Sequence, residues 1–267
     1  MIHADTERVQ PANFRHLLRM EGVRGEGCLF LASVRDCREA LSAAALGADI
    51  LDLKEPRHGA LGAVARDEQR AILTALGSER PTVSATVGDL PLEATSLAAA
   101  IRATAANGVD IVKFGVFARG AEAAAGLRAL GRALRDDAIA LVAVLPADKL
   151  GGIGEILDLA RRAIGDCDVV GVMLDTAAKS RGSLPELLAH QELARFVAAA
   201  HAAGRFAGLA GSLRAEHIEP LAATGADLLG FRGALCAGDR SAALAPAAFR
   251  AVRERLLAVR STSLVPA

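Results

Sequence analysis

Tryptophan and tyrosine are absent from this chain, and only four of its 31 basic residues are lysines. Without Trp or Tyr it has no ready aromatic platform for stacking sugars or bases. Formal net charge is zero and no basic block stands out, which argues against nucleic acid as the main partner. No apolar stretch approaches the ~18 uninterrupted residues of a membrane span, and the charged N-terminus has no apolar signal core. Cys28, Cys37, Cys167 and Cys236 form neither a C-x-x-C pair nor a metal-ligand spacing. They read as buried thiols in a reducing compartment, so a soluble, cytoplasmic protein without a metal is expected. The six histidines (His3, His16, His58, His190, His201 and His217) also lack ligand spacing and read as structural. His58 is the one placed where it could line a site. Ser84, Thr86 and Ser212 have no histidine–carboxylate partner in the pattern, which argues against a serine hydrolase.

The shortage of lysine is informative because arginine carries nearly all the positive charge. Arginine cannot be deprotonated in a protein and cannot attack a carbonyl, whereas a lysine of lowered pKa does both. Lys54 and Lys113 each close an apolar run that reads as a strand. Lys149 and Lys179 follow two others by a few residues. This placement points to amine chemistry at one end of a sheet.

Residues 1–26 are polar and irregular and read as an N-terminal extension. From residue 27 to 267 one domain is expected, since 267 residues suit a single large core. Apolar runs at Cys28–Val34, Asp49–Lys54, Thr82–Val87, Asp110–Val116, Ile139–Leu145, Asp168–Leu174, Phe206–Ala210 and Asp227–Phe231 predict strands. Segments of helical periodicity lie near 36–46, 66–77, 93–107, 119–135, 152–165, 185–203, 213–224 and 246–258. Three joins repeat one phrase: Leu46-Gly-Ala-Asp49, Asn107-Gly-Val-Asp110 and Thr224-Gly-Ala-Asp227. In each, glycine is placed to cap a helix immediately before a strand. Eight strand–helix units predict an α/β chain folded as a (β/α)8, or TIM, barrel. The alternative, an open doubly wound sheet that binds a dinucleotide, lacks its G-x-G-x-x-G turn after the first strand. No cofactor is expected.

Active sites of such barrels lie at the C-terminal strand ends. Alternation puts Asp52 and Lys54 on one face and Leu51 and Leu53 on the other. Lys113 shares its face with Ile111 and Gly115. A charge on the helix-facing side would be buried unpaired, so Asp52, Lys54, Lys113 and Asp175 are expected in the barrel mouth, with Lys179 four residues beyond Asp175. Crowded ammonium groups repel one another, and burial adds to the lowering of their pKa values. A neutral lysine can then form a Schiff base while a second acts as general base; the alternative is a set of structural ion pairs. Gly211-Ser212 and Gly230–Gly233 resemble the phosphate cradle that follows the last two strands, with Arg232 placed for a bidentate contact. The loop Gly59-Ala-Leu-Gly62 reads as a mobile cover, a second anion nest or a plain connection.

Taken together, these strand ends resemble a known family. The segments Asp52-Leu-Lys-Glu-Pro56, Gly59-Ala-Leu-Gly-Ala63, Val83-Ser-Ala-Thr-Val-Gly-Asp89, Val112-Lys-Phe-Gly115, Met173-Leu-Asp-Thr-Ala177 with Lys179, Leu209-Ala-Gly-Ser212 and Gly230-Phe-Arg-Gly-Ala234 are similar to those of (5-formylfuran-3-yl)methyl phosphate synthases. The resemblance runs from about residue 28 to 240. It implies a TIM-barrel lyase of methanofuran biosynthesis that joins two molecules of glyceraldehyde 3-phosphate, with loss of water and one phosphate. It implies that Lys54 is the Schiff-base lysine and Lys113 the proton acceptor, and that Asp52, Asp175 and Lys179 are the supporting charges. The expected partner is thus a small triose phosphate, neither nucleic acid nor membrane, and a homo-oligomer remains open. Two other readings stay in view: a different Schiff-base aldolase acting on a triose phosphate, and a non-catalytic barrel whose lysines only hold anions. The loop after the second strand, with Glu55 and His58, and the loop after the fifth, with Pro146 and Lys149, depart from the pattern and bear on how a second triose is held.

Overall fold

The computed structural model describes residues 27–178 and 181–262. The expected N-terminal extension and Lys179 lie outside them. Eight parallel strands pair in sequence order: β1 (Leu29–Val34), β2 (Ile50–Leu53), β3 (Thr82–Thr86), β4 (Ile111–Gly115), β5 (Leu141–Pro146), β6 (Gly171–Asp175), β7 (Phe206–Leu209) and β8 (Leu228–Phe231). β8 pairs with β1, Leu228 opposite Leu29, and closes the barrel. The helices between them are α1 (Cys37–Ala45), α2 (Arg66–Leu76), α3 (Ala94–Ala105), α4 (Gly120–Ala133), α5 (Ile153–Cys167), α6 (Leu184–Leu187), α7 (His190–Ala202), α8 (Ile218–Ala222) and α9 (Pro246–Thr262). Among the described residues, no helix is long and apolar enough to cross a membrane.

Two predicted helices differ in detail. The segment 185–203 is broken in two, because Leu188 is extended (φ −130°, ψ 130°) between α6 and α7. Each half has its own start: the Glu186 carboxylate accepts the Ser183 N–H and hydroxyl before α6, and the Glu192 carboxylate accepts the Ala189 N–H before α7. The segment 213–224 is a 3-10 turn at Ala215–His217 followed by the short α8. The strand expected from Asp168 starts at Gly171, because Asp168 adopts the left-handed conformation (φ 49°, ψ 41°) that ends α5.

The pleat sorts apolar residues into two layers. Leu51, Leu53, Val83, Val112, Phe114 and Val172 face outward and pack under the helices. Leu29, Leu31, Ile50, Ile111, Val142 and Met173 fill the inside. Helix α5 shows how the outer shell is covered: Ile156, Leu159, Ala160, Ala163 and Cys167 recur on one face and are all buried. Burial pushes the Cys167 thiol up to about 12, which keeps it protonated and inert. Phe249 of α9 packs against Phe30 of β1 with centroids 4.8 Å apart and planes tilted by 51°, and Phe30 meets Phe231 of β8 edge-on at 5.9 Å. These rings cover the seam where the barrel closes.

The repeated Gly-x-Asp joins form the barrel floor. Gly47, Gly108 and Gly225 have φ of 84°, 95° and 83°, values that favour glycine. The aspartates that follow have a separate role. Each accepts the N–H of the second residue of the preceding strand at 2.7 Å: Asp49 from Phe30, Asp110 from Val83 and Asp227 from Ala207. Each also faces a basic side chain, Arg260, Arg80 and His201 respectively. The floor therefore fixes strand register with carboxylates and leaves the opposite end for the site.

Candidate active site

Strand register sets the first carboxylate. Ser33, Asp52 and Ser84 stand level on β1, β2 and β3. All three are buried and, by the pleat, turn inward. The Ser84 hydroxyl donates to Asp52 Oδ1 at 2.7 Å and the Ser33 hydroxyl to Oδ2 at 3.2 Å. Lys113 of β4 places Nζ 2.7 Å from Asp52 Oδ1. Asp52 is thus held from both neighbouring strands while it faces an ammonium group.

The second pair spans the barrel. Lys54, at the end of β2, donates to Asp175 Oδ2 of β6 at 2.9 Å. The other oxygen, Oδ1, accepts the Thr176 N–H at 2.7 Å. Lys54 and Lys113 are 8% and 3% exposed, so both amines sit largely out of bulk water.

The Lys113 amine is held below the usual lysine range. Desolvation is the main cause, Asp52 works against it, and the charge of Lys54 adds to the lowering. The sum favours an amine that can lose its proton inside the mouth. The ordinary cost of burying an ion pair makes a purely stabilising role a poor explanation for two such pairs at one strand end.

A cavity of about 370 Å³ opens above the pairs. Lys54, Lys113, Asp52, Asp175, Gly211, Ser212, Arg232 and Gly233 all line it. The described residues expected to be catalytic or to bind phosphate are therefore gathered in one place. Gly211 (φ 110°) cannot carry a side chain, because a Cβ would lie 2.8 Å from the Thr176 methyl and 2.9 Å from its nitrogen. Ser212 follows in the left-handed region at φ 50°. This bent backbone brings the end of β7 close to Asp175 and Thr176.

Arg232 lines the cavity but is engaged elsewhere. Its Nε donates to the Arg240 carbonyl, Nη1 to Ser33 O and Glu39, and Nη2 to Glu39 and Ala242 O. All five N–H groups have protein partners, which leaves the expected bidentate phosphate contact without a donor. The loop Gly59–Gly62 is also occupied from within: Asp89 accepts the N–H groups of Ala60 and Leu61 at 2.8 and 2.6 Å. It is a nest that holds the protein's own carboxylate, and not a vacant anion site. His58 is exposed and does not line the cavity.

Ser33, Ser84 and Arg240 were not singled out as candidates from the sequence. The inward phase of β1 and β3 carries the signal for the serines, since each is level with Asp52. Arg240 has no periodic signal. It lies in the connection after β8, eight residues beyond Arg232, and its Nη2 donates to the carbonyls of Pro56 and Gly59 at 2.6 Å each.

Residues 30–253 match the model of the 4-HFC-P synthase family. The chain is 38% identical over 210 residues to the (5-formylfuran-3-yl)methyl phosphate synthase of Methanopyrus kandleri, covering 76% of this chain and 87% of that protein. It is 35% identical over 222 residues to the enzyme of the same name from Methanocaldococcus jannaschii, covering 80% and 92%. Among solved structures it is similar to phosphoribosyl anthranilate isomerase from Thermus thermophilus, with a TM-score of 0.58, 20% identity, and coverage of 87% of this chain and 100% of that one. It is also similar to 3-keto-L-gulonate-6-phosphate decarboxylase from Vibrio cholerae, with a TM-score of 0.59, 10% identity, and coverage of 87% and 99%. At such identities the two structures bear on the fold alone.

Proposed function

The chain belongs to the 4-HFC-P synthase family, and from that premise we propose that it condenses two molecules of glyceraldehyde 3-phosphate into (5-formylfuran-3-yl)methyl phosphate, a lyase step of methanofuran biosynthesis. The observation that carries the proposal is the pair of buried lysines at the strand ends, each within 3 Å of an aspartate and both facing one cavity. A barrel that only held anions would have no need to pair each cation with a carboxylate of its own.

In this mechanism the Lys54 amine attacks the aldehyde of the first triose and water leaves, giving an imine. Asp175, 2.9 Å away, takes up and returns the proton that this step moves. The imine acidifies the adjacent C–H. Lys113, whose amine is readily neutral, removes that proton and leaves an enamine. The enamine carbon attacks the aldehyde of the second triose, whose oxygen gains a proton. Phosphate and water are then eliminated, the ring closes, and hydrolysis frees Lys54. Two trioses yield one furan phosphate, one orthophosphate and two waters, so the sum is redox-neutral. Asp52, fixed by Ser33 and Ser84, returns Lys113 to its working protonation state. Lys179, outside the described residues, has a proton-transfer role in the eliminations by its family resemblance. The backbone of Gly211, Ser212 and Gly233 is the proposed seat of the first triose's phosphate.

Borohydride reduction in the presence of glyceraldehyde 3-phosphate tests the scheme. An adduct on Lys54, together with furan absorbance in the ultraviolet, is expected. The lack of Trp and Tyr keeps that spectral window clear. Active protein that gives no adduct would refute the imine, and an adduct on Lys113 would exchange the two lysine roles.

A further inference from the structure

A second cavity, of about 670 Å³, adjoins the first, with Pro56 and Arg240 forming part of both linings. Three cations border it: Arg57 from the turn after β2, Lys149 from the turn after β5, and Arg240 from the connection after β8. Asp89 is the one acidic residue on its lining, and both of its oxygens are occupied by the N–H groups of Ala60 and Leu61. The guanidinium of Arg57 and the ammonium of Lys149 meet no carboxylate among the described residues, and both side chains are exposed. Arg240 is half-buried and has no ion-pair partner among the described residues either; its Nη2 is tethered to two carbonyls. The carboxylates of Asp175, Asp89 and Glu55 act on this guanidinium only from beyond ion-pair distance, burial outweighs them, and an anion beside it offsets the remaining cost. These features together describe an anion site of net positive charge next to the lysine mouth.

We propose that this cavity, walled by Arg57, Lys149 and Arg240, holds the phosphate of the second glyceraldehyde 3-phosphate while its aldehyde projects past Pro56 toward the adduct on Lys54. The assignment rests on the synthase reading above. The geometry supports two phosphates in two places: one at the ends of β7 and β8, the other across the mouth between the turns after β2 and β5. The separation keeps two dianions apart while their carbon ends meet over Lys54 and Lys113. It also gives Lys149 a task, that of a point charge at the entrance, which a flexible ammonium serves well.

The test compares two concentrations in one protein: the triose level that half-saturates borohydride trapping on Lys54, and the level that half-saturates furan formation. The exposed double variant Arg57→Ala with Lys149→Ala is expected to leave the first within two-fold and to raise the second by about ten-fold or more. Arg57→Lys with Lys149→Arg should restore it. An unchanged second value would overturn the site, as would an equal rise in both, which would assign the first triose's phosphate here. Failure to trap any adduct in the unaltered protein would remove the synthase reading itself, and the second-substrate role with it.

Discussion

The floor and the mouth of this barrel both join carboxylates to cations, and they use them differently. On the floor Asp49, Asp110 and Asp227 face Arg260, Arg80 and His201, with side chains 15–33% exposed. In the mouth Asp52 and Asp175 face Lys113 and Lys54, with side chains 2–10% exposed. The floor carboxylates also accept strand N–H groups, so they fix the backbone. The mouth carboxylates are fixed by others: Asp52 by two serines and Asp175 by the Thr176 N–H. Arginine and histidine serve where the pair need only persist. Lysine stands in the mouth, the one cation of the two kinds that can lose its proton there, and burial together with the charge of Lys54 lowers the Lys113 amine.

The largest effect should come from giving the mouth a floor-type cation. Lys54→Arg keeps the charge beside Asp175 but cannot form an imine, so furan formation should fall by on the order of 10⁴-fold with no borohydride adduct. Retained turnover would mean that the reaction proceeds without an imine on Lys54. Asp52→Asn tests the electrostatic half of the contrast. Lys113 is deprotonated more readily than an ordinary lysine, so the rate should rise with pH along a limb below that range. Asp52 opposes the lowering, and its neutralisation should move the limb to still lower pH. The maximal rate should drop by roughly 10²-fold or more as the relay is lost. A limb that stayed in place would disconnect the two residues.

Arg232→Met divides the cavity lining by function. If Arg232 serves Glu39 and the loop carbonyls, the variant should lose roughly 3 kcal/mol of stability by leaving a buried carboxylate with weaker support. The triose concentration for half-maximal rate should hardly move. A large rise in that concentration with unchanged stability would return Arg232 to phosphate binding. The smallest effect belongs to the floor. Asp110→Asn weakens its bonds to Arg80 and to the Val83 N–H, at about 1–3 kcal/mol, with a thermal midpoint lower by several degrees. Activity per folded molecule should be unchanged.

Much of the mouth was legible beforehand because strand alternation is a local rule. Asp52 and Lys54 had to share a face, and an unpaired buried charge under the helices was too costly, so the inward side followed. The repeated glycine joins were legible for the same reason, as helix ends before strands. The aspartate in each join showed only its position, since its partners, the preceding strand's N–H and a distant basic side chain, come from elsewhere in the chain. Arg232 shows what a local pattern leaves out. It stands where such barrels grip phosphate, but Glu39, 193 residues away in sequence, the Ser33 carbonyl of β1 and two loop carbonyls take up its donors. The Gly59–Gly62 loop has a nest-like composition, and Asp89 from the end of β3 fills it.

Periodicity, punctuation and the scarcity of lysine are properties of short stretches and of composition, so they determined the barrel, its inward faces and the two lysines at its strand ends. Closure of the sheet decided the rest. It set Ser33 and Ser84 level with Asp52, sent Lys54 across to Asp175, and made one cavity wall from Pro56 and Arg240. Those contacts join residues far apart along the chain, and only the ring of eight strands brings them within bonding distance.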